Sequence, residues 1–328
     1  MREPEGGGRS AFGRRPRLSA DSPLVGGAAE PGFDPHADAL GLPEPDPARE
    51  ADDDPRALRQ LLPADEPGRA IDDWGRSETA FQLADPILNF YYRYWFRVEL
   101  EGVENVPATG GALLVANHSG ALPPDAPMIM QGIRTEHPQP RPIYMLGEHW
   151  FKGYPGVGMV ANKIGMVAAH PANAQRLLRD EGRLALVFPE GQKGSRKLYW
   201  QRYRLRRFGR GGFVRTAMRA GVPIVPIAVV GAEEAMPIFA HVPLLQRLTG
   251  LIYFPVNHAF PHFGLAAGLM YLPAKFRIRF LAPVDLSGYG PDDAGDVALV
   301  QSVSEQIRAS IQREVDQLVS SRESVWFG

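Results

Sequence analysis

Apolar residues first recur with a regular period near Phe81. Ala84, Ile87, Leu88, Tyr91, Trp95 and Val98 fall at helical spacing, with Asn89, Arg93 and Arg97 on a contrasting polar stripe. Asp85-Pro86 reads as the helix start, Asp as cap and Pro at the first turn. From residue 97 onward, short apolar runs alternate with helical patterns. Strands are expected at 97–101, 112–116, 142–146, 166–168, 184–188, 224–230 and 276–281, with helices at 172–181 and 212–220. The chain closes on a long amphipathic helix whose inner face holds Val300, Ile307, Ile311, Val315 and Leu318. This order predicts an α/β fold: a single domain with a mixed or mostly parallel sheet flanked by helices. Before it, residues 1–76 are rich in Pro, Gly, Asp, Glu and Arg and poor in apolar groups, so they read as a disordered tail. The division expected is therefore a tail (1–76), an amphipathic aromatic helix (77–100) and a main domain (101–328).

Composition narrows the function. Of 328 residues 44% are hydrophobic, enough for a sizeable core. A net charge of -1 argues against a nucleic-acid partner. The absence of cysteine excludes disulfides, thiolate zinc sites and thiol catalysis. The start of the chain lacks the apolar stretch of a secretory signal, and no run approaches the length of a spanning helix. Contact with a membrane, if made, is expected to be peripheral and on the cytoplasmic face. Phe90, Tyr91, Tyr92, Tyr94, Trp95 and Phe96, interleaved with arginines, suit the headgroup region of a bilayer, as well as a helix packed on its own core. Residues 242–276 are apolar and broken by Pro and Gly. They suit an acyl groove, an interfacial segment or ordinary core.

Two segments carry candidate chemistry. Val115-Ala-Asn-His118-Ser-Gly-Ala-Leu-Pro-Pro-Asp125-Ala126 follows an apolar strand. A histidine beyond a strand end, with a nearby carboxylate to fix its tautomer, is a candidate general base. Val187-Phe-Pro-Glu190-Gly191-Gln-Lys193-Gly-Ser-Arg196-Lys197 also follows an apolar strand, and its glycines and cations suit an anionic group. Arg207 and Arg210 lie in a further basic run, 204–212, that opens a helix. His258 and His262 lack a neighbouring carboxylate, so no metal site is expected. Ser119 lacks the glycine flanks of a nucleophile elbow.

Taken together and in this order, these segments resemble the phospholipid and glycerol acyltransferase family typified by lysophosphatidate acyltransferases. Gly102–Pro107 leading to Asn117-His118 resembles its first motif, Gly165-Met166-Val167 stands where the second belongs, Phe188–Gly191 resembles the third and Val222–Ile227 the fourth. The resemblance covers residues 80–325. It implies transfer of a fatty acyl group from a thioester donor, acyl-CoA or acyl-carrier protein, to a lipid hydroxyl, without a further cofactor. It assigns His118 and Asp125 to catalysis and Glu190, Gly191, Lys193 and Arg196 to the acceptor. Lys197, Arg207 and Arg210 are candidate contacts to phosphates or lipid heads, and backbone N–H groups near Ser119-Gly120 are candidate oxyanion donors.

Two departures bear on the substrate. Six residues, not the family's four, separate His118 from Asp125, and Pro123-Pro124 forbids a smooth helix between them. Asp125 therefore reads either as the partner of His118 or as a helix cap. Gln192-Lys193 and Ala169-His170 replace arginine-containing family positions, and lysine lacks arginine's bidentate fork. A neutral mono- or diacylglycerol acceptor thus stands beside a phosphorylated one. An acyl thioester hydrolase and a catalytically silent membrane-binding protein are the competing readings.

Overall fold

The computed structural model describes residues 71–120, 123–148, 157–242, 244, 255–264, 268 and 270–328. The tail reading of residues 1–70 lies outside them. The described residues include Ile71 to Arg76, six positions that the pattern had placed in the tail. Asp72 accepts the Tyr144 hydroxyl at 2.5 Å, and Trp74 donates its indole N–H to Glu181 at 3.0 Å. The Arg176 guanidinium lies over the Trp74 ring, 4.5 Å from its centroid. These anchors are polar or long-range, so hydrophobic periodicity carried no trace of them.

Helix α1, Glu78–Phe90, also begins earlier than expected. Ser77 is its cap, and the hydroxyl accepts the Ala80 N–H at 3.2 Å. Asp85 does not start the helix. Its carboxylate meets Gln131 at 3.2 Å and Arg134 at 3.6 Å, and Pro86 sits within the helix. A π-helical turn, Tyr91–Trp95, continues α1. Phe81, Tyr92 and Phe96 are buried, and Leu88, Tyr91, Trp95 and Val98 pack along the core's edge. Ile87, expected on that inner face, points outward with Leu83, Phe90 and Tyr94.

Seven strands form the main sheet: β1 Glu99–Glu101, β2 Ala112–Ala116, β3 Ile143–Gly147, β4 Met166–Ala168, β5 Leu184–Val187, β6 Ile224–Val230 and, late in the chain, Arg277–Phe280. Two-residue strands β7, Ala240–His241, and β8, Pro255–Val256, form a separate antiparallel pair, which makes Arg277–Phe280 strand β9. The main order is β1-β9-β6-β2-β5-β3-β4. All neighbours are parallel except β6 and β9. The fold is thus the α/β class expected, with a mostly parallel sheet.

Central β2 is buried on both faces, which is why its sequence is a continuous apolar run rather than an alternating one. Leu113 and Val115 face one core, Ala112 and Leu114 the other. The first core is closed by α6, Gly212–Ala220, and by the C-terminal α8, Val297–Ser320. The second is closed by α1 and α2, Asp125–Glu136. Further described helices are α3 Val157–Lys163, α4 Pro171–Gln175, α5 Gln192–Ser195 and α7 Ala232–Ala235. Asp296 caps α8 by accepting the Ala298 and Leu299 N–H groups. Its predicted apolar face is buried, with Val303 added.

Candidate active site

Strands β2 and β5 are parallel neighbours, with Val115 opposite Val187. Their carboxyl ends deliver both motif loops to the same edge of the sheet, where open α/β sheets place their sites. Asn117 ties the end of β2 to β6: its amide donates to Val229 O at 2.9 Å and accepts Val229 N–H at 2.8 Å. The next residue, His118, therefore leaves a fixed strand end.

The loop after His118 returns Asp125 to it. His118 Nδ1 lies 2.9 Å from Asp125 Oδ2. Asp125 is fully buried and opens α2, where the helix N-terminus favours its negative charge. Its Oδ2 also accepts the Ser119 N–H at 3.2 Å, and Oδ1 accepts the Ala126 N–H at 2.8 Å. The two readings of Asp125 are therefore one arrangement: it meets both the helix start and the imidazole. With Nδ1 taken and the side chain 17% exposed, Nε2 is the nitrogen that can meet a substrate. Phe188 stacks on the imidazole, with centroids 4.2 Å apart, and fixes the ring plane. The Ser119 N–H is committed to Asp125, so it is not the oxyanion donor expected of it.

The second loop is arranged differently. Gly191 has φ 52° and ψ -148°, a backbone region that only glycine enters without strain. It turns the chain into short α5. A Cβ on Gly194 would lie 2.7 Å from Glu190 Cβ and 2.9 Å from His118 Cβ, so the missing side chain is what lets this loop lie against the histidine. Glu190 is buried and faces inward. Its Oε1 accepts the His118 N–H at 3.0 Å and its Oε2 accepts the Arg206 N–H at 2.7 Å. That corrects the expectation that Glu190 contacts the acceptor: its oxygens are engaged by the protein's own backbone.

Lys197 is likewise not a lipid-head contact. Its side chain is 1% exposed and its ammonium lies 3.5 Å from Glu190 and 2.9 Å from Glu233. Burial works against its charge, but Glu233 and Glu190 outweigh burial and hold its pKa above the ordinary value. Lys193 is exposed on α5, and Arg196 follows it, half-buried. Gln192 donates to Glu148, beyond β3, at 2.6 Å. Arg207 and Arg210 are exposed. Their run reaches the site because Arg206 N–H meets Glu190.

Sequence reasoning missed Phe188 as a ring partner, Asn117 as an anchor and Glu148 as a neighbour of the third motif. Asn117 adjoins His118 and Phe188 lies two residues before Glu190, so both were within reach. Glu148 adjoins residues 149–156, outside the described ones, and nothing in its local sequence distinguishes it.

A buried carboxylate orienting a partly exposed histidine at the carboxyl edge of a parallel sheet is an arrangement able to abstract a proton. The family model described as Acyltransferase matches residues 97–230, the segment that holds β2, β5, β6 and both loops. An uncharacterized protein of Mycobacterium tuberculosis is 44% identical over 243 residues, 74% of this chain and 67% of its own length. A Gallus gallus protein named as a DGAT1/2-independent enzyme synthesizing storage lipids is 26% identical over 192 residues, 58% of this chain and 53% of that one. Among solved structures, the 1-acyl-sn-glycerophosphate acyltransferase PlsC of Thermotoga maritima superposes with a TM-score of 0.48 at 19% identity, covering 82% of this chain and 88% of that one. The chain belongs to the acyltransferase family.

Proposed function

We propose that this acyltransferase moves a fatty acyl group from acyl-CoA or acyl-carrier protein to a hydroxyl of a glycerolipid, with His118 as general base. The observation that carries the reading is the 2.9 Å contact between His118 Nδ1 and Asp125, which leaves Nε2 to the substrate. His118 Nε2 takes the proton of the acceptor hydroxyl as that oxygen bonds to the thioester carbonyl carbon. The C–S bond then breaks, and the leaving thiolate takes the proton from the imidazolium. Asp125 holds the tautomer and stabilises the imidazolium between the two steps. No covalent acyl-enzyme is needed. Lys193, exposed on α5, is a cation of that loop open to an anionic acceptor, and Arg207 and Arg210 are exposed further along the chain.

A second reading concerns the acceptor. Gln192 bonds to the Glu148 carboxylate, which puts a negative group beside the loop that would meet a phosphate. That favours a neutral mono- or diacylglycerol, and the Gallus gallus relative's name points the same way. Palmitoyl-CoA offered with lysophosphatidate, monoacylglycerol and diacylglycerol in parallel tests both readings. Transfer to lysophosphatidate supports a phospholipid acceptor, transfer to neutral glycerides alone supports the second reading, and fatty acid release independent of any acceptor replaces both with a hydrolase.

The lipid substrates require contact with a membrane or lipid surface. Leu83, Ile87, Phe90 and Tyr94 recur at spacings of four, three and four along α1 and its continuation, and Leu83 and Tyr94 are 77% and 69% exposed. Tyr271 packs edge-on against Tyr91, and exposed Met270 adjoins it, so the described end of segment 242–276 borders the same face. No described helix is long and apolar enough to cross a membrane. Placing Glu at Leu83 and Ile87 should abolish flotation with anionic vesicles while leaving the melting temperature within a degree or two, since exposed substitutions cost at most about 0.5 kcal/mol. Unchanged flotation would remove α1 as the contact.

A further inference from the structure

The segment Tyr203–Arg206 has no regular secondary structure, yet side chains from three other parts of the fold hold its backbone. Tyr203 N–H donates to Glu233 at 2.6 Å and Tyr203 O accepts from Gln312 at 2.8 Å. Leu205 N–H donates to Gln312 at 2.8 Å, and Arg206 N–H to Glu190 at 2.7 Å. At the centre lies Lys197, buried between Glu190 and Glu233, with Arg204 O 3.5 Å from its ammonium. Glu234, the next residue of α7, pairs with Arg322 and with the Tyr203 hydroxyl. The same Glu190 that touches Lys197 accepts the backbone N–H of His118.

We infer that Lys197 is a positioning residue for acyl transfer: by holding the Glu190 side chain in place, it fixes the backbone of His118, and through Glu233 it ties that backbone to α7 and the 203–206 strap. The inference rests on His118 being the base. Glu190 accepts from His118 and from Arg206 at once, one oxygen to each. Removing the lysine leaves the Glu190 side chain buried without the cation that holds it between the two N–H groups. Lys197 does this from within the protein, out of reach of substrate. It therefore acts on the rate of the chemical step rather than on the binding of donor phosphates, the role its position in the basic loop first suggests.

The test uses the full chain carrying Lys197→Met, and a second protein carrying Lys197→Met with Glu233→Gln, in which only one buried carboxylate is left without its cation should the single variant fold poorly. Hydrogen–deuterium exchange is read at residues 117–120 and, as a control, at 112–116. Transfer from palmitoyl-CoA is measured with whichever glyceride or lysophosphatidate turns over. Expected is faster exchange at 117–120 with the β2 interior unchanged. With it, kcat should fall about 10²-fold, the scale of a small misplacement of a reacting group, with little change in KM. Native exchange at 117–120 in the folded double variant would overturn the inference, as would a raised KM for palmitoyl-CoA at unchanged kcat. His118→Ala separates the two claims. If that variant still transfers acyl groups, the base assignment fails. If it does not, and the Lys197 variants match wild type, only the positioning role fails.

Discussion

The two loops that leave the carboxyl ends of β2 and β5 start side by side and point their charges in opposite directions. The β2 loop turns its carboxylate, Asp125, inward and leaves His118 at the surface of the site. The β5 loop turns Glu190 and Lys197 inward and leaves Lys193 outside. A motif in sequence shows that a residue is needed at a place; it does not show whether that residue faces the substrate or its neighbours. Here the loop richer in charge is the more structural one. Its acid and its buried lysine serve to hold the other loop's backbone.

That contrast can be broken by experiment. Asp125→Asn should be the largest effect after loss of His118 itself. It keeps the shape but withdraws the charge that sets the tautomer, and kcat should fall about 10²-fold or more. A drop in melting temperature with activity unchanged would make Asp125 a helix cap only. Next comes a paired comparison within the β5 loop. Glu190→Ala should lower stability by about 1–3 kcal/mol for each of the two N–H groups it strands. Lys193→Ala should leave stability alone and raise KM severalfold for a phosphorylated acceptor but not for a neutral one. Equal denaturant midpoints for the two variants would erase the distinction between inward and outward faces.

The smallest effect is a pH dependence. Burial holds the Glu233 carboxyl above its ordinary value of 4.5, despite Lys197. The folded state therefore binds the proton more tightly than the unfolded state. The stability this gives is complete below the unfolded pKa and is lost as pH rises through the folded one. Glu233→Gln cannot ionise, so its denaturant midpoint should gain on wild type between pH 5 and pH 8. A gap that stays constant over that range would mean that Lys197 keeps Glu233 ionised throughout.

Much of this was legible in the chain. Strands β2, β5 and β6 are continuous apolar runs bounded by turn residues, and the candidate base lies just past one of them. The face of α8 could be read from Val300 to Leu318. Other features were hidden for physical reasons. β7 and β8 are two residues each, too short to show a period. The start of α1 was misplaced because Asp85 looks like a cap, while its carboxylate is spent on Gln131 and Arg134 of α2. Asp72 and Trp74 join the domain through partners 72 and 107 residues away. Glu190 finds His118 at a separation of 72 residues, and no local pattern announces such a contact. Six residues separate His118 from Asp125 in the chain, and the carboxylate meets the imidazole from the first turn of α2.

The most direct test of the account is acyl transfer from palmitoyl-CoA by the His118→Ala protein beside wild type, across the same three acceptors and with the fold checked by thermal melting. The account predicts a native melting curve and a loss of turnover of about 10²–10⁴-fold with every acceptor that wild type uses. Turnover within a few-fold of wild type in a folded His118→Ala protein would contradict it and place the chemistry elsewhere on the sheet edge.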